Sequence, residues 1–233
     1  MNASRAPADA LPPVFVTGGT GYIGRPLIDA LCGRGYEVHA LVRRESRSRL
    51  PAGAIPVIGN ALDAATFASA IPRGATIVHL VGTPHPNPSK AAEFEAVDLA
   101  SIRATTTAAV AAGARHLVYL SVAHPAPMMR AYIAVRIQGE TLVESTGVPA
   151  TILRPWYVLG PGHWWPYALV PMYVVLRWLP ATRAGAERLG LVTLAQIVDA
   201  LVASVAKPPA SGVRVLDVPG MRRLRGSARA AYN

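Results

Sequence analysis

The sequence predicts an α/β fold in which a doubly wound parallel sheet carries helices on both faces. Three observations predict it: a glycine-rich turn between an apolar run and an amphipathic segment, further short apolar runs that alternate with helical patterns, and a composition that is 52% hydrophobic and 15% charged. Such alternation is typical of parallel sheets. At 233 residues the chain is long enough for one main domain with a small appendage.

The first β-α-β unit opens with a short apolar run, Val14 to Val16, which lies between prolines and glycines. Such a run predicts a buried strand. Apolar residues then recur at helical spacing from Tyr22, and glycines at 33 and 35 end this helix. The segment from Tyr36 to Val42 is the predicted second strand.

Gly18, Gly21 and Gly24 lie in the turn between the first strand and the first helix. Glycines there allow a tight turn and let the backbone approach a pyrophosphate at the helix N-terminus. The predicted cofactor contacts in this turn are Gly18, Thr20, Gly21, Tyr22, Ile23 and Gly24. The alternative interpretation is a glycine turn with a purely structural role.

Arg43 and Arg44 follow the second strand, where a dinucleotide with a free ribose diol usually meets an Asp or Glu. A guanidinium pairs well with a 2′-phosphate. The sequence therefore favours NADP(H) and leaves NAD(H) possible. The alternative is that both arginines are solvated loop residues.

These features resemble the short-chain dehydrogenase/reductase superfamily, especially its atypical and extended, epimerase/dehydratase-like branches, which share the turn T-G-G-T-G-x-x-G. The resemblance runs from about Val14 to Leu224. It implies a Rossmann sheet that binds NAD(P). After the third strand it implies that Asn60 and Ala61 contact adenine, although the family has Asp where this chain has Asn60. Asp63 is predicted to cap the next helix.

The resemblance also implies that the end of the fourth strand passes close to the cofactor, at Leu80, Val81 and Gly82. His79, within that strand, is predicted to be packed. His85 lies in the proline-rich loop that follows, from which it could approach a substrate. A long helix is predicted from Phe94 to Ala112.

A fifth strand ends at Ser121, and Tyr132 and Arg136 follow at helical i, i+4 spacing. In the family, a serine after this strand positions the substrate oxygen, and a Y-x-x-x-K pair supplies an acid/base tyrosine and a lysine on the nicotinamide ribose. The resemblance therefore implies these roles for Ser121, Tyr132 and Arg136. Glu140 follows as in related sequences.

Arg136 stands where the family has lysine. A guanidinium can bond ribose hydroxyls, but it stays charged and cannot relay a proton. Lys90 and Lys207 are the only lysines among the 23 lysine and arginine residues. Either the arginine reflects this general bias and activity survives, or the site only binds nucleotide.

The segment from Pro155 to Leu176 contains no Asp, Glu, Lys or Arg. A membrane span needs about 20 continuous apolar residues, and prolines interrupt this segment, so we do not expect it to cross a membrane. An apolar lid over the nicotinamide end is the favoured interpretation. A membrane-surface contact, and a core-packing or dimer surface, are the alternatives.

The domain prediction has four parts: a flexible leader at 1–13, a dinucleotide-binding core at 14–154, a small lid and substrate region at 155–224 that completes the fold, and a basic tail at 225–233. Thr193 is predicted to cap a helix, and a final strand is predicted around Val213. From Met221 onward the chain is predicted to be exposed. The leader lacks the apolar core of a signal peptide.

The net charge of +10 comes from scattered arginines without interleaved aromatic residues, which argues against nucleic acid. Phosphate cofactors or an anionic membrane surface fit the charge equally well. The single cysteine, Cys32, excludes an intrachain disulfide and favours a reducing cytoplasm. No metal site and no particular oligomer is indicated.

The function predicted from these residues is NADP(H)-dependent oxidation or reduction of a small, rather apolar, carbonyl-type substrate. Tyr132 would act as acid or base, Ser121 would polarise the substrate oxygen, and Arg136 would hold the ribose. Two alternatives stay open: a catalytically silent NAD(P)-binding sensor or assembly protein, and a nucleotide-sugar epimerase or dehydratase.

Overall fold

The computed structural model describes residues 11–161, 178 and 185–230. The strands of its main sheet are β1 Val14–Thr17, β2 Val38–Val42, β3 Ile55–Ile58, β4 Thr76–His79, β5 His116–Leu120, β6 Ala150–Leu153 and β9 Val213–Leu216. These seven strands are all parallel, in the order β3-β2-β1-β4-β5-β6-β9. The predicted doubly wound parallel sheet is confirmed.

Six α-helices have both ends within the described part of the chain: α1 Gly24–Cys32, α2 Ala91–Glu93, α3 Ala100–Ala111, α4 Arg130–Ser145, α5 Leu194–Ala206 and α6 Val218–Ala230. A π-helical segment, Phe94–Leu99, joins α2 to α3. The predicted helix from Phe94 is therefore present, but its first turns are wound more loosely. Short 3-10 helices span Arg44–Arg49, Ala64–Thr66, Ala68–Ala70 and Pro88–Lys90.

The five central strands of the sheet are buried on both faces, which is why they are nearly continuous apolar runs, whereas the edge strands β3 and β9 are partly exposed. Along β1, Val14 and Val16 point to the face covered by α1, α5 and α6, and Phe15 points to the opposite face with Ile102 of α3. These three side chains are fully buried. Two hydrophobic cores, one on each face, thus fix the sheet between two helical layers.

Two predicted helix caps are confirmed. The side chain of Asp63 accepts a hydrogen bond from the Ala65 amide at 3.0 Å, although the helix it starts is a single 3-10 turn. The Thr193 hydroxyl accepts from the Gln196 amide at 3.2 Å, and the Gln196 side chain accepts from the Thr193 amide at 2.8 Å. This reciprocal pair is a capping box that begins α5.

The C-terminal region contributes to the core. Strands β7 Tyr157–Leu159 and β8 Leu191–Thr193 form a small parallel sheet, and β9 adds to the edge of the main sheet beside β6. The prediction that the chain is exposed from Met221 is wrong. Met221 is fully buried, because α6 lays it with Val218 against the core beneath α5. Residues 162–176 of the predicted lid segment and residues 1–10 of the predicted leader lie outside the described residues.

The strand order places the site. The chain builds outward from β1 through β2 to β3, and then returns to the other side of β1 to build β4, β5 and β6. Crossover connections therefore leave in opposite directions on either side of the β1–β4 pair, which opens a crevice at the carboxyl ends of the strands. All predicted cofactor and catalytic residues follow the ends of strands at this edge or lie on the adjacent helix α4.

Candidate active site

The glycine turn after β1 is closely packed. Gly18 has a φ of +77°, and a Cβ atom there would lie 2.8 Å from the carbonyl carbon of Leu80. A Cβ atom on Gly24 would overlap the carbonyl oxygen of Gly18. Helix α1 then begins without a capping side chain and with no acidic residue in its first turn. Its N-terminal amides and the helix dipole therefore suit an anion, and the turn fits a dinucleotide pyrophosphate.

The two arginines after β2 lie at the edge of this turn. The Arg43 side chain is 71% exposed, and its Nε atom lies 3.4 Å from Oε1 of Glu45. Arg44 is also exposed and begins the 3-10 helix Arg44–Arg49. Both guanidinium groups are thus accessible to a ligand that lies across the carboxyl ends of β1 and β2.

The segments after β3 and β4 complete the edge of the crevice. Asn60 is exposed, and its Oδ1 accepts a hydrogen bond from the Leu62 amide at 3.0 Å, so this oxygen is used in a local turn next to Ala61. Leu80, Val81 and Gly82 are half-buried and follow β4 directly. The predicted contacts with adenine and with the rest of the cofactor stay predictions.

His79 is packed within β4, as the sequence predicted. It is fully buried, and its Nδ1 lies 2.9 Å from the Thr17 hydroxyl and 3.0 Å from that of Thr105. Burial, and secondarily the charge of Arg136, lowers the pKa of His79 to about 3. It is a neutral structural residue.

Tyr132 and Arg136 lie on the same face of α4, as their spacing predicted. The guanidinium carbon of Arg136 is 5.1 Å from the centroid of the Tyr132 ring, and the Phe94 ring lies 5.0 Å from the same ring on another side. The half-buried tyrosine is therefore held by an aromatic ring and a cation.

Arg136 is itself buried and has a dedicated counter-ion. Its Nη2 donates to Oδ1 of Asp98 at 2.6 Å, and its Nη1 donates to the Leu120 carbonyl at 2.9 Å. Asp98 also accepts from the amide and hydroxyl of Thr83 at 2.9 and 2.7 Å. Burial alone would lower the pKa of Arg136, but Tyr132, Tyr119 and Asp98 outweigh burial and raise it.

Gly82 makes room for this arrangement, because a Cβ atom on it would overlap the guanidinium of Arg136. Gly82, which is predicted to lie close to the cofactor, therefore also leaves space for the Arg136 side chain. Arg136 lies beneath Tyr132 and is not among the described residues that line the cavity beside that tyrosine. Its predicted contact with the nicotinamide ribose stays a prediction.

Ser121 lies immediately after β5, where the sequence placed it, and belongs to a buried polar network. Its Oγ donates to Oε1 of Glu140 at 2.5 Å. Arg154 holds the same carboxylate through both oxygens, at 3.0 Å from Nε and 2.5 Å from Nη2. Nε2 of His124 lies 3.4 Å from Oε2 of Glu140.

A cavity of about 540 Å³ lies beside Tyr132 at the carboxyl edge of the sheet. Its polar described wall residues are Tyr22, His85, Asn87, Ser121, Tyr132 and Tyr157. Its apolar and tryptophan wall residues are Ile23, Pro86, Leu120, Val122, Met129, Pro155, Trp156 and Val158. No described wall residue is Asp, Glu, Lys or Arg. The described part of the cavity wall is therefore aromatic, apolar and polar without an acidic side chain, a lysine or an arginine.

The cavity brings together residues that sequence reasoning singled out and residues that it missed. Tyr22, Ser121 and Tyr132 meet there, and His85 reaches the wall from its loop. Asp98 was missed, although an acid within the apolar stretch FEAVDLA was a sign of a buried partner. Sequence reasoning also missed that Met129 lines the cavity, because a single methionine in the sequence does not indicate a cavity wall.

Two further observations concern metal binding and membrane-spanning helices. Over the described ranges there is no cluster of three or more His, Cys, Asp or Glu side chains that could hold a metal ion. In the same part of the chain, every helix is too short or too polar to cross a bilayer.

Comparison with known proteins agrees with this geometry. A family model described as NAD(P)H-binding matches residues 18–161. The chain is 31% identical over 156 residues to a ceramide reductase of Caulobacter vibrioides, which covers 66% of this chain and 49% of that protein. It is 31% identical over 222 residues to a 3-diazoavenalumate denitrifying reductase of a Streptomyces species, covering 83% of this chain and 71% of that protein. The chain thus spans about half the length of the first relative.

Solved structures share the fold. The Bordetella bronchiseptica enzyme WbmG in complex with NAD has a TM-score of 0.67 at 20% identity, covering 98% of this chain and 81% of that one. MoeE5 in complex with UDP-glucuronic acid and NAD has a TM-score of 0.66 at 22% identity, and the match covers 88% of this chain and 76% of MoeE5. Because the family model matches more than half of the chain, the chain belongs to the NAD(P)H-binding family.

Proposed function

We propose that this chain is an NADP(H)-dependent oxidoreductase that reduces a carbonyl group on a small, uncharged and largely apolar substrate. The observation that carries the proposal is the cavity wall, where Tyr132 and Ser121 stand among aromatic and apolar side chains and no described residue is charged. Burying an unpaired charge there would be costly. The names of the two relatives, both reductases, support the reaction class.

NADP(H) is the proposed cofactor. Its pyrophosphate would lie on the glycine turn, against Gly18, Thr20, Gly21, Tyr22, Ile23 and Gly24. Asn60 and Ala61 would contact adenine, and the segment 80–82 would run alongside. Arg43 and Arg44 would hold the 2′-phosphate. The exposed Arg43 meets Glu45 at 3.4 Å, and a phosphate can compete for it because exposed ion pairs are weak.

The nicotinamide, when bound, supplies the hydride. The hydroxyl of Tyr132 would donate a proton to the substrate oxygen. Ser121 bonds the polar end of the substrate. Arg136 acts as a positioning residue, because its guanidinium supports the tyrosine ring at 5.1 Å while Asp98 balances its charge. A contact of Arg136 with the ribose would use an N–H group other than those that donate to Asp98 and to the Leu120 carbonyl, and the buried Nε has no partner among the described residues.

The test combines binding with turnover. The purified protein is titrated with NADPH and NADH by calorimetry, and NADPH oxidation is followed with apolar aldehydes, ketones and quinones. We expect tighter binding of NADPH and turnover of at least one carbonyl compound. Tyr132→Phe, which keeps the ring over Arg136, should lower turnover about 100-fold or more and leave NADPH binding intact. Absence of binding by both nucleotides, or full turnover by the Tyr132→Phe variant, contradicts the proposal.

Two alternatives have an observation in their favour. MoeE5, solved with UDP-glucuronic acid and NAD, shares the fold, which favours a nucleotide-sugar epimerase or dehydratase. Purified protein that carries the absorbance of a bound reduced nicotinamide would support that class. The burial of Arg136 against Asp98 favours a silent nucleotide-binding protein. Binding without turnover across the carbonyl panel would support it.

A further inference from the structure

The hydroxyl of Ser121 points its proton away from the substrate cavity. Ser121 lines that cavity, yet its Oγ donates at 2.5 Å to Oε1 of Glu140, which lies behind it and is only 4% exposed. The direction of this hydrogen bond decides what the serine can offer to a ligand.

Glu140 can only accept in this contact. Arg154 donates to Oε1 from Nε at 3.0 Å and to Oε2 from Nη2 at 2.5 Å. A carboxylate held in this bidentate way has acceptor oxygens and no proton of its own. The proton between Ser121 and Glu140 therefore belongs to the serine. A serine hydroxyl has one proton and two acceptor lone pairs, so Ser121 presents only acceptor lone pairs to the cavity.

We propose that Ser121 accepts a hydrogen bond from the substrate, and that the site therefore selects carbonyl compounds that carry a hydroxyl or N–H donor next to the reactive carbonyl. This inference rests on the proposed function for the placement of the carbonyl at Tyr132. The tyrosine hydroxyl donates to the carbonyl oxygen, and the neighbouring donor of the substrate reaches Ser121. Glu140 is the positioning residue that sets this polarity.

The size of the effect follows from ordinary hydrogen bonds. A neutral hydrogen bond that replaces one to water is worth a factor of about 5 to 10 in affinity. A carbonyl compound with a methyl ether in place of the hydroxyl leaves the serine lone pair without a partner. We therefore expect the hydroxylated compound to bind about 5- to 10-fold more tightly than its methyl ether.

The experiment measures binding of three uncharged aromatic probes to the protein saturated with NADP⁺: α-hydroxyacetophenone, α-methoxyacetophenone and acetophenone. Dissociation constants come from ligand-observed NMR titration. Ser121→Ala should abolish the preference for the hydroxylated probe, and Ser121→Thr, which keeps a hydroxyl, should retain it. Ser145→Ala serves as the control, because that exposed serine donates to the Leu142 carbonyl on α4, away from the cavity.

The outcomes separate this inference from the proposed function, because NADP⁺ cannot reduce the probes. A preference that Ser121→Ala removes, without any turnover with NADPH, supports the inference and contradicts the reductase proposal. Turnover without a binding preference overturns the inference alone. The inference also fails if Ser121→Ala weakens all three probes equally, or if none of the three binds. Melting temperatures of the variants show whether each one is folded.

Discussion

At the scale of single residues, Arg136 shows how a substitution is built into its surroundings. Asp98 provides the counter-charge at 2.6 Å, the Leu120 carbonyl accepts at 2.9 Å, and Gly82 leaves the space that the guanidinium fills. The three groups come from different segments of the chain, so the arginine is an integrated part of the site.

The ion pair between Asp98 and Arg136 gives a first prediction. Asp98→Asn leaves the buried guanidinium without its counter-charge while keeping a side chain of nearly the same shape. Breaking a buried pair in this way should lower the free energy of unfolding by about 3 kcal/mol, measured by urea denaturation. The control is Glu93→Gln, whose pair with Lys90 spans 3.8 Å at the surface and should matter by less than about 0.5 kcal/mol. Equal losses in the two variants would contradict the prediction.

Arg43 gives a second residue-scale prediction, on cofactor choice. Arg43→Asp replaces an exposed guanidinium with a carboxylate at the end of β2, so the 2′-phosphate of NADPH should be repelled. NADPH affinity should fall at least about 10-fold, the value of one charge-assisted hydrogen bond, while NADH affinity changes little. Calorimetric titration measures both. Arg49→Asp, at the far end of the same 3-10 segment, is the charge-matched control, and an unchanged affinity ratio in Arg43→Asp would reassign the 2′-phosphate site.

At the scale of elements, local patterns predicted two helix caps, because a cap depends on hydrogen bonds between near neighbours. The caps at Asp63 and Thr193 were both predicted from the side chain and the residues that follow it. The stability of α5, in contrast, depends on packing, since Ile197, Val198 and Leu201 are buried against the first core. The cap of α5 and the packing of its apolar face therefore contribute separately to the free energy of unfolding.

The Thr193 cap gives the element-scale prediction. Thr193→Ala removes the acceptor for the Gln196 amide and half of the capping box, so the free energy of unfolding should fall by about 1 kcal/mol. Chemical denaturation measures the change. Thr141→Ala is the matched control, because that exposed threonine lies inside α4, where alanine is the better helix former, and should cause no loss. Similar losses at both positions would mean that the cap contributes nothing specific.

At the scale of the whole molecule, two buried histidines tie folding to pH. Burial, and then Arg136, lowers the pKa of His79 to about 3; burial, and then Arg214 and Arg115, lowers that of His116 to about 4. In the unfolded chain both would take up a proton near pH 6.5. The folded protein is therefore the less protonated state in this range, and acid favours unfolding.

The expected result is a stability that is complete above about pH 6.5 and falls as the pH decreases toward 4, with each histidine contributing up to about 1.4 kcal/mol per pH unit. Urea denaturation at pH 7, 6 and 5 measures the slope. His79→Gln should reduce the slope relative to the wild type, whatever its effect at pH 7. The control is His39→Gln, at a half-buried position bonded to Glu37. An unchanged slope in His79→Gln would show that this histidine titrates normally in the fold.

The parallel α/β fold, the glycine turn and the positions of Ser121 and Tyr132 could be predicted from the sequence, because they follow from periodicity, glycine spacing and hydrogen bonds within a few residues. The surroundings of these residues depend on contacts between segments that are far apart in the chain. The pairs of Arg136 with Asp98, Ser121 with Glu140 and Glu140 with Arg154 join residues 38, 19 and 14 positions apart. The pairing of these polar and charged side chains depends on strand order and on the packing of α4 against the sheet. No local sequence pattern contains that information.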